Sequence, residues 1–83
     1  MFEVAFTKEA EKEFLQLDKV VQKKVASKVL DLKEGVFTND KQLKGKHKGK
    51  FRKRAGSYRI IYLKENNVLL ISVIRIAHRK EAY

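Results

Sequence analysis

Phe2, Val4 and Phe6 alternate with Glu3 and Ala5, a period of two that predicts a short first strand over Phe2–Phe6. The pattern then changes to helical spacing. Ala10, Phe14 and Leu17 fall on one face of a helix that begins at Lys8, with Thr7 as N-cap and Glu9 and Glu11 in the first turn, where the helix dipole favours carboxylates. Asp18 caps a second helix in which Val21, Val25, Val29 and Leu32 step by four, four and three. Gly35 stands where a helix end places its glycine, after Lys33 in the last turn. Each helix is apolar along one stripe only, so each must lie on another element.

Val36–Lys41 reads as a loop, and Gly45 and Gly49 make Leu43–Lys48 an irregular segment. From Lys50 the alternation returns, with Phe51 inward and Lys50, Arg52 and Arg54 sharing the other face. Ala55-Gly56-Ser57 is a turn, Tyr58–Leu63 a strand, and Glu65-Asn66-Asn67 a hairpin turn whose asparagines tolerate positive φ. Val68–Ile76 is the most apolar strand and the expected sheet centre, and Ala77–Tyr83 is a polar tail. The expected fold is a single α+β domain over residues 1–83. Its four-stranded, largely antiparallel sheet has the order β-α-α-β-β-β, with two helices packed on one face and the other face open.

Charge sharpens this picture. Lys41–Lys64 holds ten Lys and Arg and no acid, whereas residues 1–40 hold seven lysines against eight acids, and residues 65–83 hold three cations against two acids. The net charge of +10 is therefore concentrated in 24 residues. Confined to one sheet face, such a run makes a field that gathers a polyanion, and an open basic sheet face suits single-stranded RNA. The run lacks the helical period of a membrane-surface helix. The apolar stretch Val68–Ile74 is too short to span a bilayer and the N-terminal residues do not resemble a signal peptide, so a soluble cytoplasmic protein is expected. With no cysteine, and with His47 and His78 far apart, no metal or cofactor is expected either.

Arg59 shares a strand face with Ile61 and Leu63, where a guanidinium loses hydration unless an anion meets it. Arg75 poses the same question, and only Glu65 and Glu81 lie near these arginines in sequence, which favours phosphate as the partner. His78, Arg79 and Tyr83 follow the last strand; a histidine titrates near neutrality, an arginine forks a phosphate, and a tyrosine stacks on a base or relays a proton. The chain contains no paired-carboxylate site, no Ser–His–Asp order, no P-loop and no dinucleotide fingerprint. Phosphodiester chemistry here would be metal-free and would use a nucleophile that RNA itself brings, its 2′-hydroxyl.

Leu43-Lys44-Gly45, Phe51-Arg52-Lys53-Arg54, Ser57-Tyr58-Arg59-Ile60-Ile61-Tyr62 and the ending Ile76–Tyr83 resemble the RelE/ParE toxin superfamily of toxin–antitoxin systems. The resemblance spans nearly the whole chain and points to the RelE branch. It implies a ribosome-dependent mRNA endoribonuclease, a translation inhibitor, kept silent by a small acidic antitoxin. It implies Lys50, Arg52, Arg59, Arg79 and Tyr83 as catalytic positions, with His78 as an alternative proton carrier. Lys44, Lys46, Lys48, Lys53 and Arg54 would then dock on ribosomal RNA. Arg52 stands where the branch has a lysine; always protonated, it can stabilise charge but not accept a proton. The alternatives are gyrase inhibition, as in the ParE branch, and a non-catalytic or inactive RNA-binding relative.

Overall fold

In a computed structural model the elements run β1 (Glu3–Phe6), α1 (Lys8–Leu15), α2 (Lys19–Lys33), β2 (Lys41–Gln42), β3 (Lys50–Ala55), β4 (Tyr58–Glu65) and β5 (Leu70–His78). The structure describes residues 1–45, 49–78 and 80. The sheet order is β1-β5-β4-β3-β2, with β1 parallel to β5 and every other neighbour antiparallel. The sheet is thus mixed and five-stranded rather than four-stranded. The additional strand, Lys41–Gln42, pairs with Arg52 and Phe51. Two residues carry no periodicity, so only its partner makes it a strand.

Two other expectations shift. β4, not β5, takes the middle of the sheet. Val68 and Leu69 belong to the β4–β5 turn, where both are exposed and Leu69 adopts φ 51°. Their side chains read as strand, but the Leu69 N–H turns back toward the Asn66 carbonyl at 3.4 Å. At the other end, Ala77 and His78 leave the supposed tail and continue β5 opposite Arg59 and Tyr58.

The helix signals are realised as read. The Thr7 and Asp18 side chains accept from the N–H groups of Ala10 and Val21 at 3.1 and 2.9 Å. Gly35, at φ 79°, ends α2 with paired bonds from Gly35 N to Leu32 O and from Val36 N to Asp31 O, at 3.1 and 2.8 Å. Both helices pack on one sheet face. Ala10, Val25 and Leu32 meet Ile60, Tyr62, Ile71, Val73 and Ile76 in a continuous core, rimmed by Phe2, Phe6, Phe14 and Phe51. Among the described residues no helix is long and apolar enough to cross a membrane.

α1 also seals a sheet edge. β1 stops beside Val73, which leaves the upper half of β5 without a strand on that side. A register shift there, from Ile61↔Arg75 to Tyr62↔Val73, leaves Ile74 without a partner on β4. Thr7 Oγ1 donates to the Ile74 carbonyl at 3.1 Å, and Glu13 accepts from the Ile76 N–H at 2.7 Å. Arg75 folds onto the same carboxylate, with its Nε and Nη2 at 3.0 and 2.8 Å, and reaches Glu9 at 3.2 Å. Its partners are thus acids of α1 more than sixty residues away, and the phosphate role that sequence neighbours suggested for Arg75 is withdrawn.

Candidate functional site

Register decides which cations share a face. Lys41 lies opposite Arg52, Arg52 opposite Ile61, Arg54 opposite Arg59, and Lys50 opposite Leu63. Side chains of directly opposed residues leave the same side of a sheet. Lys50, Arg52, Arg54 and Arg59 are therefore brought together as expected, and Lys41 joins them, on the side away from the helices. Lys41 with Arg52 and Arg54 with Arg59 are like charges in direct opposition, an arrangement that costs stability until an anion comes between or above them.

The floor of this face is dry. Ile61 and Ala77 are 2% and 7% exposed, yet neither belongs to the core cluster beneath the helices. Beside them, Arg59 Nη1 is buried and has no hydrogen-bond partner among the described residues. A buried donor without an acceptor is costly, more so when it carries charge. Among the described residues the sheet thus holds an unsatisfied cationic donor in its most cation-rich region.

That region opens into a cleft of about 520 Å³ beside β3. Past Arg52, no strand among the described residues pairs with β3 on its outer side, and the cleft follows this edge. Arg52, Arg54 and Arg59 form one wall, and the loop Thr38–Lys41 forms the other, with Lys28 of α2 closing the end near Gly56. Asp40 is the single acid among the described lining residues, and it is already engaged. Its Oδ1 takes the Lys53 ammonium at 2.9 Å and its Oδ2 accepts from the Tyr62 hydroxyl at 2.5 Å. The cleft is therefore strongly cationic.

The same contacts correct the assignment of Lys53. It alternates with Arg52 and Arg54, falls on the helix side opposite Ile60, and is 4% exposed. A buried ammonium held by a buried carboxylate cannot dock on RNA. Burial, aided by the hydrogen bond and the charge of Asp40, pushes the Tyr62 phenol far above its ordinary range. Lys64 also turns to the helix side, its ammonium 4.2 Å from the Phe37 ring centroid.

His78 lies opposite Tyr58, on the face of Ile60 and Tyr62. Its ring meets the Tyr58 ring edge-on at 5.4 Å and its Nδ1 accepts from the Lys80 N–H at 3.3 Å. Strand alternation thus directs His78 away from Arg59, and the structure does not join it to the cationic cluster. Lys44 is exposed just beyond β2. Lys46, Lys48, Arg79 and Tyr83 lie outside the described residues. Sequence reading missed Lys28, Lys41 and the Thr38–Asp40 wall. Only Lys41 carried a local signal, as the first member of the acid-free run.

A cationic sheet face on the side away from two helices defines a small α+β domain. The sequence model of the family described as "ParE toxin of type II toxin-antitoxin system, parDE" matches residues 4–83. The chain belongs to this family, and so to the RelE/ParE toxin superfamily. No curated protein sequence matches it. The toxin–antitoxin complex RelBE2 of Mycobacterium tuberculosis contains a similar chain, 25% identical, covering 94% of this chain and 98% of that one with a TM-score of 0.84. The isolated E. coli RelE toxin superposes with a TM-score of 0.79 at 19% identity, over 94% of this chain and 84% of that one. A chain of the archaeal RelE–RelB complex of Pyrococcus horikoshii gives 0.75 at 22% identity, over 98% of both.

Proposed function

We infer that this toxin is a ribosome-dependent mRNA endoribonuclease that cuts by attack of the 2′-hydroxyl on the adjacent phosphate. The observation that carries the reading is the buried Nη1 of Arg59, without a hydrogen-bond partner among the described residues, on a face shared with Lys50, Arg52 and Arg54. The 2′-oxygen bonds to phosphorus as the bond to the 5′-oxygen breaks, leaving a 2′,3′-cyclic phosphate and a 5′-hydroxyl end. Charge grows on the non-bridging oxygens in between, and a guanidinium already stripped of water meets it without reorganisation. Arg52 adds fixed positive charge. Lys50 gives or takes the proton. By resemblance, Arg79 and Tyr83 complete the set; Lys44, Lys46, Lys48 and Arg54 dock on ribosomal RNA. In a translating extract the protein should produce new mRNA 5′ ends at discrete codons.

The family description favours a second reading, in which the toxin inhibits DNA gyrase as ParE does. Intact mRNA in the extract, together with blocked supercoiling by purified gyrase, would select it.

On either reading the partner is an acidic antitoxin, as the RelBE2 and RelE–RelB complexes suggest. Because the cationic cluster would supply much of the attraction, affinity for the antitoxin should fall as salt is raised. Titration calorimetry at low and high ionic strength measures this directly, and equal affinities would remove the electrostatic part of the proposal.

A further inference from the structure

Ile71 and Val73 of β5 turn toward the helices, and so do Ile76 and His78, although an unbroken strand would send odd and even positions to opposite faces. Ile74, left without a partner on β4, absorbs the difference. The switch puts Ala77 on the open face directly opposite Arg59, where it is buried, as is Ile61 next along that face. A slip of one residue would send Ala77 to the helix side and take this cover from Arg59. β4 holds the segment on one side only. On the other side β1 has ended at Phe6, opposite Val73, and α1 supplies side chains in place of a strand. Glu13 makes the central contacts. Its Oε1 accepts from the Ile76 N–H at 2.7 Å, a short, charge-assisted bond, while its Oε2 takes Arg75 Nε and Nη2 at 3.0 and 2.8 Å.

We propose that Glu13 is a positioning residue for Arg59: by holding the Ile76 amide it locks the register past Ile74 and keeps Ala77 against the guanidinium. The buried state of Nη1, on which its use in the transition state depends, is then maintained from α1. Glu13 itself touches no ligand. The inference rests on the ribonuclease reading only for the rate that it predicts, and the placement of Ala77 can be read without cleavage.

The test compares substitutions in the whole chain. Glu13→Gln keeps an oxygen for the Ile76 N–H, whereas Glu13→Met has similar length and helix propensity but no strong acceptor. Both remove the charge that Arg75 meets, so a role limited to that ion pair would make the two variants alike. NMR spectra should instead separate them. The unmodified protein and Glu13→Gln should show a nuclear Overhauser contact between the Ala77 methyl and the Arg59 side chain, with slow exchange of the Ile76 amide. Glu13→Met should lose both, and so should Glu13→Asp, which keeps the charge but is one methylene shorter. Single-turnover cleavage should slow about tenfold in Glu13→Met, less than the loss of roughly 10²–10³ from removing an oxyanion contact outright, and stay near the original rate in Glu13→Gln. Ribosome affinity should be unchanged in both. In an Arg59→Ala background Glu13→Met should slow cleavage no further, because it acts through Arg59. An Ala77–Arg59 contact that survives Glu13→Met, equal losses in Glu13→Gln and Glu13→Met, or rate effects that add to those of Arg59→Ala would each overturn the assignment. If the unmodified protein leaves mRNA uncut while the contact still depends on the Glu13 acceptor, the ribonuclease reading fails and the positioning of Arg59 stands.

Discussion

Arg59→Ala should slow single-turnover mRNA cleavage by roughly 10²–10³ at saturating protein, the loss that follows removal of one preorganised contact to a developing oxyanion. Affinity for the ribosome should change little, because a contact that strengthens only in the transition state affects the chemical step rather than binding. The same substitution should leave the melting temperature unchanged or raise it. It removes a buried donor that has no partner among the described residues and relieves the opposition of Arg54 and Arg59 across the β3–β4 ladder. A residue that costs stability and supplies rate is one that the fold retains for its ligand. Arg59→Lys should remain slow, since an ammonium cannot reproduce the two-pronged geometry of the guanidinium. Lys44→Ala, at an exposed position, should show the reverse pattern, with weaker ribosome binding, a shallower salt dependence and an unchanged rate. An Arg59→Ala protein that melts earlier and cuts at full speed would make Arg59 a structural residue and defeat the catalytic assignment.

Local signals carried most of the fold. Thr7, Asp18 and Gly35 mark helix ends through their own side chains or the lack of one, and the alternation of Phe51 with its cationic neighbours sets the faces of β3. Arg59 could be singled out because its strand companions are apolar. What escaped reading were contacts between residues distant in sequence. Glu9 and Glu13 look like ordinary helix acids, and nothing near them signals that a strand arginine more than sixty residues later will fold onto Glu13. β2 has no pattern of its own. Val68 and Leu69 have strand side chains at a place where the chain must reverse. Lys53 is the instructive miss, because its position between Phe51 and Ala55 already placed it inward. The net charge of the segment obscured that, and its acid lies thirteen residues earlier in a loop that reads only as polar. The cleft follows from that ion pair, so its loop wall was equally hidden.

Asp40→Ala should be strongly destabilising, costing about 3–5 kcal/mol, because it leaves a buried ammonium without its counter-charge and a buried phenol without its acceptor. The side chains of Lys53 and Asp40 are 5% and 4% exposed, so solvent screening does little to soften the loss. In a domain of this size 1 kcal/mol moves the melting temperature by roughly 4–8 °C, so the variant should be partly unfolded near 37 °C. Asp40→Asn, which keeps an acceptor, should lose less. Asp40→Ala combined with Lys53→Met should cost less than the sum of the single changes, as expected for directly coupled groups. The third member of the cluster gives a pH signature. The Tyr62 phenol is held protonated above its unfolded value of about 10, so its contribution is intact below that pH and is lost as pH rises further. Urea midpoints measured between pH 9 and 11 should therefore decline more steeply in the unmodified protein than in Tyr62→Phe, by up to about 1.4 kcal/mol per pH unit at the alkaline end. A stable Asp40→Ala protein, less than about 1 kcal/mol weaker than the original, would place this ion pair among surface contacts and detach the loop wall from the core that is held here to position it.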